Sequence, residues 1–437
     1  MTIDHIRRII LAIVILASLI LSWLTWSAGR LSEVAETSGG VSGPAVTFTR
    51  DLSSVFGPTQ IVFHDDIESI YATTDESVFS LIQDSYGEWE FSSIEDPQTM
   101  TNEGYMNRLM NENAVELVFD GDISFGLYEN LFRNVPSDFE NRTFNRISIS
   151  RTDPNQVNFY NVTSNTYYSV ESEGIEEGFV RSLQSVEGTT YLQVDPIELG
   201  DKVVYLPSTQ TEIPYKEYFI ERLPNSLFVN RFFADTSEVD VRRTGDVTRY
   251  IDLVSEMRID ENANIISYTR QRSTNETMQL SDRLRNSYQE MTLVENWTEQ
   301  THFDGFFPQS NLATFRRYVG GLPIYSPNEE GLVQISVVPN GLNYLRVPLN
   351  VVQTPLAPVG DAQMKEIIPG NEVLTRIEET GYKIEDIDNI RLGYRWKLSD
   401  ESSQVVQFEP EYYLYAEGSW LTLEQFVARQ GGSARGL

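Results

Sequence analysis

The chain has 437 residues, of which 40% are hydrophobic and 11% aromatic, and its formal net charge is −31. This length and composition provide for two or three domains with sheet-rich cores and exclude a wholly disordered chain. So acidic a protein repels nucleic acid, and the absence of cysteine excludes disulfides, thiolate catalysis and cysteine-based metal sites.

The N-terminal part contains an uncharged, mostly aliphatic run over residues 9–28, which follows Arg7 and Arg8. A helix of this length spans roughly 30 Å, the thickness of the hydrocarbon core of a bilayer. Because basic residues precede the run and none cluster after it, residues 1–8 are predicted to be a cytoplasmic tail and the rest to be extracellular. The run is longer than the apolar part of a signal peptide and lacks a clean cleavage site. It is therefore predicted to be a retained, single-pass transmembrane helix.

The predicted transmembrane helix carries two kinds of polar or amphipathic residue. Trp23 and Trp26 fall near its outer end, where indole rings favour the membrane interface and act, with the two preceding arginines, as anchors. Ser18 and Ser22 are four residues apart, and Thr25 follows on nearly the same face. Small hydroxylated residues in this register let helices approach and hydrogen-bond, so this face is a candidate helix-interaction site. Many inert anchors share the pattern, so the residues alone leave both possibilities open.

Beyond the helix, the composition predicts a stalk and three extracellular regions. Residues 29–47 are rich in Ser, Gly, Ala and Glu, which is typical of a flexible linker. The remaining pattern predicts an α+β fold, mixed and rich in sheet. Its regions are an N-terminal α/β domain (48–199), a middle domain (200–300), a C-terminal α/β domain (301–430) and a disordered tail (431–437).

In the N-terminal region, "TTDESVFSLIQDSYGEW" predicts an amphipathic helix that buries Val78, Leu81 and Ile82. The stretch "TNEGYMNRLMNENAVELVFDG" predicts a short helix followed by a strand over Val115–Phe119. "FNRISISRTDPNQVNFYNVTSNTYYSVE" predicts consecutive strands that turn at Asp153-Pro154-Asn155.

The two later regions show a similar order of paired strands and a helix, which indicates related modules. "VTRYIDLVSEMRIDENANIISYTRQ" predicts two extended runs joined by a polar turn, and "SDRLRNSYQEMTLVENWTEQ" predicts a helix with Leu284, Tyr288 and Met291 on one face. Pro339-Asn340-Gly341 is predicted to close a hairpin. A helix over "GNEVLTRIEETG" and a closing strand pair, "IRLGYRWKLSD" with "VVQFEPEYYLYAEGSW", follow.

The sequence contains no recognisable set of catalytic residues. The histidines are His5, His64 and His302. His64 opens "HDDIE", which is interpreted as a solvated acidic turn and not as a metal site, because adjacent residues point in different directions. His302 is predicted to be the polar end of a helix. No protease, hydrolase, calcium-loop or phosphate-loop motif occurs, so the protein is expected to be no enzyme and to need no metal or cofactor.

The order of several segments resembles that of a known family. These segments are "LSWLTW" at the end of the predicted membrane helix, "FFADTSEV", "VTRYIDLVSEMRIDENANIISYTR", "TFRRYVGGLPIYS", "LGYRWKLSD" and "VVQFEPEYYLY". In this order the chain resembles the YycH family of Firmicutes, regulators that accompany an essential sensor histidine kinase of the WalK (YycG) type. The resemblance implies a three-domain extracellular part whose last two domains are similar in architecture to YycI. It also implies a complex with a YycI-like protein and the kinase.

Two hypotheses about function follow. The first is a non-enzymatic regulator, anchored in the cell membrane, that modulates a kinase controlling cell-wall metabolism through transmembrane and extracellular contacts. The alternative is an extracellular module that binds a cell-wall or peptide ligand. Tyr412, Tyr413 and Tyr415 could then line a groove, although packing within a sheet is the favoured interpretation of these tyrosines.

Overall fold

A computed structural model of the chain describes residues 50–433, except 67–68, 129–131, 177, 201, 273–275, 296–299 and 358–362. The predicted tail, membrane helix and stalk therefore lie outside the described residues, as do Arg7, Arg8, Ser18, Ser22, Trp23, Thr25 and Trp26. Among the residues that are described, no helix is long and apolar enough to cross a membrane.

The chain divides into two compact units. The smaller consists of Met1–Ala45 with Asn225–Val239, and the larger of Val46–Pro224 with Asp240–Leu437. In the smaller unit the described residues form the helix α5 (Asn225–Phe232) and one 3-10 turn. The described part of the larger unit contains α1 (Leu52–Val55), α2 (Glu76–Ser85), α3 (Asn102–Glu112), α4 (Phe179–Leu183), α6 (Leu280–Thr292), α7 (Gly370–Glu378) and α8 (Leu423–Ser433).

The N-terminal half of the larger unit is built on an antiparallel sheet, which we call the N-terminal sheet. In the described residues its ten strands are β1 (Gln60–Asp66), β2 (Ser69–Thr73), β3 (Glu90–Ile94), β4 (Gln98–Thr99), β5 (Val115–Ser124), β6 (Thr143–Ile149), β7 (Gln156–Asn161), β8 (Thr166–Glu173), β9 (Leu192–Leu199) and β10 (Lys202–Pro207). The strand order is β10-β9-β2-β1-β5-β6-β7-β8-β3, and β4 pairs with β8.

The C-terminal half is built on a second sheet of 14 strands among the described residues, which we call the C-terminal sheet. Its order is β13-β14-β15-β16-β21-β20-β18-β19-β24-β25-β12-β22, while β17 pairs with β18 and β26 with β25. The strands from β11 to β18 are β11 (Thr211–Pro214), β12 (Lys216–Arg222), β13 (Asp240–Thr244), β14 (Val247–Ile251), β15 (Ser255–Asp260), β16 (Ile265–Arg270), β17 (Gln300–Phe307) and β18 (Leu312–Val319). Those from β19 onward are β19 (Leu322–Tyr325), β20 (Leu332–Val338), β21 (Gly341–Pro348), β22 (Asn350–Pro355), β23 (Met364–Ile367), β24 (Asn389–Leu398), β25 (Val405–Ala416) and β26 (Ser419–Thr422).

The C-terminal sheet is continuous across the predicted middle and C-terminal regions. The parallel pairing of β19 with β24 joins the strands around β18 to those around β25, while β11 pairs with β23 in a separate two-stranded sheet. The sheet-rich α+β fold expected from the sequence is confirmed, and the domain boundaries stay predictions.

Most local elements follow the sequence pattern. Helix α2 begins where the side chain of Asp75 accepts the N–H of Ser77, which satisfies one of the free donors of the first turn. Val78, Phe79 and Ile82 form its buried face, whereas Leu81 is 41% exposed. The prediction that Leu81 is buried was wrong because Phe79 sets the phase of the helix.

Two further expectations are corrected. The stretch predicted as two extended runs forms the three strands β14, β15 and β16, because Asp252 accepts the N–H groups of Val254 and Ser255 and breaks the first run into two. The tail expected to be disordered from residue 431 overlaps α8, which ends at Ser433. Residues 434–437 lie outside the described part of the chain.

The two large sheets meet at β5 and β17, where a glycine allows close contact. A Cβ atom added to Gly121 would lie 2.6 Å from Cε1 of Phe303 and 2.9 Å from Cα of Gly305. The Gly305 backbone cannot retreat without disturbing β17, so a side chain at position 121 would force the two strands apart.

Gly121→Ala is therefore expected to lower the free energy of unfolding by about 1–3 kcal/mol, the usual penalty for overpacking a core. The matched control is Gly87→Ala, because an added Cβ there meets nothing within 4 Å. Denaturant unfolding of the full-length protein measures both variants. Equal midpoints for the two variants would show that the sheets do not pack at Gly121 as described.

Candidate functional site

A cleft of about 1170 Å³ lies between the two sheets. Strands β5, β6 and β10 contribute one wall, and residues of β12, β17 and β24 with the β18–β19 turn contribute the other. Ligand sites in proteins are typically about 300–1,000 Å³, so this cleft is large enough to hold a sizeable small molecule.

Four largely buried charged side chains lie where the two walls meet, and we call them the junction cluster: Asp120, Asp304, Arg316 and Arg391. Arg391 Nη1 lies 2.8 Å from Oδ1 of Asp304 and 3.2 Å from Oδ2 of Asp120. Arg316 contacts the other Asp304 oxygen, with Nη2 at 3.1 Å and Nε at 3.2 Å. Asp120 comes from β5 of the N-terminal sheet and the other three from the C-terminal sheet, so the cluster ties the two sheets together.

Two neutral hydroxyl groups donate hydrogen bonds to Asp120. The hydroxyl of Tyr318 donates to Oδ2, and that of Thr59 donates to Oδ1 over 3.0 Å. Burial by itself opposes ionisation of Asp304, but the two guanidinium groups hold its pKa below the usual range for an aspartate. The cluster thus has two cations and two anions, and its net charge is zero.

A second buried network, the Glu116 cluster, lies within the N-terminal sheet. The Glu116 carboxylate lies 3.1 Å from Nε2 of His64 and 3.3 Å from Nε of Arg146, and it accepts the hydroxyls of Tyr105, at 3.3 Å, and Tyr205. Burial opposes its ionisation, but hydrogen bonding to His64 and the charge of Arg146 hold the Glu116 pKa below its usual value. Arg146 and Tyr205 also line the cleft, so this network supports its wall.

The structure corrects the interpretation of His64 as part of a solvated acidic turn. His64 is fully buried in β1, and its partner is Glu116 on the neighbouring strand β5. Asp65 points elsewhere and pairs with Arg151. Alternation along the strand, and not the polarity of "HDDIE", decides which side chain is inside. Among the described residues, no group of three or more His, Cys, Asp and Glu could hold a metal ion.

The prediction for His302 was also wrong. It lies in the strand β17, is 3% exposed, and neither ring nitrogen has a hydrogen-bond partner in the described structure. Its ring meets that of Tyr318 edge-on, with centroids 4.8 Å apart. Burial lowers the pKa of His302 to about 4, so it is neutral at physiological pH and stabilises the junction as an aromatic ring.

The three tyrosines that might have lined a groove lie in β25 and not in the cleft. Tyr412 and Tyr413 are buried, and Tyr413 stacks on Tyr325 with ring centroids 4.0 Å apart. Tyr415 packs against Trp420 at 5.2 Å. The favoured interpretation, packing within the sheet, is confirmed. The cleft and both charged clusters were missed, because each assembles residues far apart in the chain.

The described residues define a class of protein: a sheet-rich α+β fold with a ligand-sized cleft and buried charges that are compensated internally. Comparison with known proteins identifies the family. The family models of the YycH protein match the chain at residues 4–177, for the N-terminal domain, and 201–431, for the C-terminal domain. The chain therefore belongs to the YycH family.

Individual relatives are distant in sequence. The two-component system WalR/WalK regulatory protein YycH of Bacillus subtilis is 19% identical over 457 residues, which cover 99% of both chains. The crystal structure of YycH from Bacillus subtilis superposes with a TM-score of 0.70 at 17% identity, over 86% of this chain and 98% of that one. A structure of an uncharacterized protein from Eubacterium rectale matches 52% of this chain with a TM-score of 0.29. The similarity of fold to YycH extends over 86% of this chain.

Proposed function

We propose that this protein is a non-enzymatic regulator, anchored in the cell membrane by residues 9–28, that modulates a sensor histidine kinase of the WalK type. The observation that carries the proposal is the match of nearly the whole chain to the YycH family and to the WalR/WalK regulatory protein of Bacillus subtilis. The proposal includes a complex with a YycI-like protein, whose architecture the last two predicted domains are proposed to share. Cell-wall metabolism would be the process controlled.

The proposed mechanism is a difference in binding between two states of the kinase. A regulator that packs better against one state shifts the population toward that state, by no more than its differential affinity. The buried contacts between the N-terminal and C-terminal sheets support this mechanism, because they hold the two sheets of the large unit in one arrangement. A contact surface held in one arrangement can fit one state of the kinase better than another.

The face formed by Ser18, Ser22 and Thr25 is the proposed helix contact. In cells with Ser18→Leu/Ser22→Leu, kinase-dependent transcription is expected to match the level in cells that lack the protein. The reason is that leucine side chains prevent close approach of a second helix. The measurement is a reporter of a kinase-controlled promoter, with protein levels checked by immunoblotting. The matched control, Ile20→Phe, adds bulk on the opposite side of the helix and should retain the wild-type output. Wild-type output from the double variant would remove this face from the mechanism.

A second candidate function is an extracellular module that binds a ligand, and the cleft between the sheets favours it. The cleft exceeds the common size of small-molecule sites and is bordered by aromatic, apolar and charged side chains. The two candidate functions are compatible, since a ligand that stiffens or displaces one wall would alter the surface presented to a partner.

A further inference from the structure

Among the described residues, two basic side chains of the cleft have no carboxylate within ion-pair distance, although the chain is strongly acidic. The protein has 64 acidic and 33 basic residues, so a basic side chain ordinarily finds a carboxylate nearby. The chain has five lysines, and two of them, Lys202 and Lys216, line the cleft. Within the part of the chain that the structure describes, neither has an ion pair, whereas Lys365 and Lys383 do.

Each cleft lysine is held in place by a neutral contact. Nζ of Lys202 donates to the backbone carbonyl of Asp388 over 3.2 Å. Lys216 packs against Gly320 and fills the space that a side chain at that position would occupy. Gly320 has a φ of +54°, a conformation in which a residue without Cβ is favoured, so the turn both forms and makes room for the lysine.

Most carboxylates of the cleft are already satisfied. Asp120 and Asp304 belong to the neutral junction cluster, and Glu76 pairs with Arg50 over 2.6 Å. Asp122 accepts the amide of Asn145 over 2.7 Å; burial raises the pKa of Asp122, and the positive charge of Lys202 partly opposes that rise. Glu212 is exposed at the rim. The two lysines are thus the cations of the cleft that have capacity left for a ligand.

The cleft also exposes apolar surface. Phe307 and Met364 line it, and each is 42% exposed, although most large apolar side chains of the described residues are buried. Exposed apolar residues that line a concave site beside unpaired charges are typical of a ligand pocket.

We propose that this cleft binds an amphipathic anion, with Lys202 and Lys216 as its counter-charges and Phe307 and Met364 in contact with its apolar part. The ligand is a small molecule with a carboxylate or phosphate group. This inference deepens the second candidate function and does not depend on kinase regulation, because binding is measured on the purified protein alone.

The test is calorimetric titration of the full-length protein in detergent, with a micelle titration subtracted. The probes are 2-naphthoate, 2-naphthyl phosphate and the neutral isostere 2-naphthamide. Saturable binding of at least one anion, about tenfold tighter than the amide, is expected, because a charge-assisted hydrogen bond to a lysine is stronger than one to a neutral group. Comparison of 2-naphthoate with 2-naphthyl phosphate then shows whether the cleft prefers a carboxylate or a phosphate head group.

Substitution of the two lysines tests whether they hold the anion. Lys202→Gln and Lys216→Gln are each expected to lower the affinity for the anion about tenfold and to leave the affinity for the amide unchanged. Lys202→Arg should retain most of the affinity for the anion. The matched control is Lys397→Gln, because Lys397 is exposed, lies outside the cleft and also has no ion pair among the described residues. Equal binding of anion and amide, unchanged affinity in both cleft variants, or no saturable binding of either anion would overturn the proposal. Unchanged melting temperatures confirm that each variant is folded.

Discussion

Arg391→Met is expected to lower the free energy of unfolding by about 3–5 kcal/mol. The substitution keeps most of the side-chain volume but removes the cation that bridges Asp120 and Asp304, leaving two buried carboxylates with Arg316 as the remaining guanidinium of the junction cluster. Neither carboxylate is more than 10% exposed, so water can replace only part of the lost contacts. The measurement is denaturant unfolding of the full-length protein.

Two further variants separate this explanation from a general effect of losing an arginine. Arg376→Met removes an exposed ion pair with Glu372 one helical turn away, and should cost less than about 1 kcal/mol. Asp120→Asn combined with Arg391→Met should be less destabilised than the sum of the single variants, because the two residues interact. A loss for Arg391→Met as small as that of Arg376→Met would contradict the assignment of the junction cluster as the contact joining the sheets.

Glu116→Ala is expected to have an effect of similar size, about 3–5 kcal/mol. The carboxylate is 1% exposed and accepts from two tyrosine hydroxyls while it contacts His64 and Arg146, so its removal leaves several buried polar groups without their acceptor. The exposed Glu401→Ala is the control and should be close to neutral.

The stabilising effect of Glu116 should also depend on pH. The folded-state pKa of Glu116 is lowered from its ordinary value of 4.5, so its stabilising effect is fully present above that pH and is lost as the pH falls through the folded-state pKa. The stability difference between wild type and Glu116→Ala should therefore be constant near neutral pH and shrink below about pH 4.5. A difference that grew with acidity would mean that Glu116 is protonated in the native protein.

The helices and hairpins could be predicted from the sequence because their signals are local. The face of α6 that contains Leu284 and Met291, and the hairpin that turns at Pro339-Asn340, both follow from residues within one or two turns of each other. These features require no knowledge of the rest of the fold.

The candidate site could not be predicted in this way because its contacts join distant parts of the chain. Asp120 stands in "FDGDIS", which has the composition of a turn, yet it pairs with Arg391 on another sheet. One usable signal was present: charged residues inside otherwise apolar strands. In "TFRRYV" the adjacent Arg316 and Arg317 each reach a buried carboxylate, Asp304 and Glu295 respectively.

The residues that dominate stability and those proposed for function are therefore different. The junction cluster is internally neutral, and it and the Glu116 cluster support the walls of the cleft, whereas Lys202 and Lys216 remain available for a ligand. A rigid cleft binds with less loss of conformational entropy, and a ligand that stiffens it further would change the surface available to a partner.

Reconstitution in liposomes tests whether this protein regulates a sensor kinase. A WalK-type kinase is incorporated into liposomes with and without the full-length protein, and the rate of autophosphorylation is measured. Addition of the protein is expected to change this rate about fivefold or more, since coupling between binding partners is typically about 1–3 kcal/mol, and Ser18→Leu/Ser22→Leu should lose most of that change. An autophosphorylation rate that is the same with the protein, without it and with the variant would show that the protein does not act on the kinase.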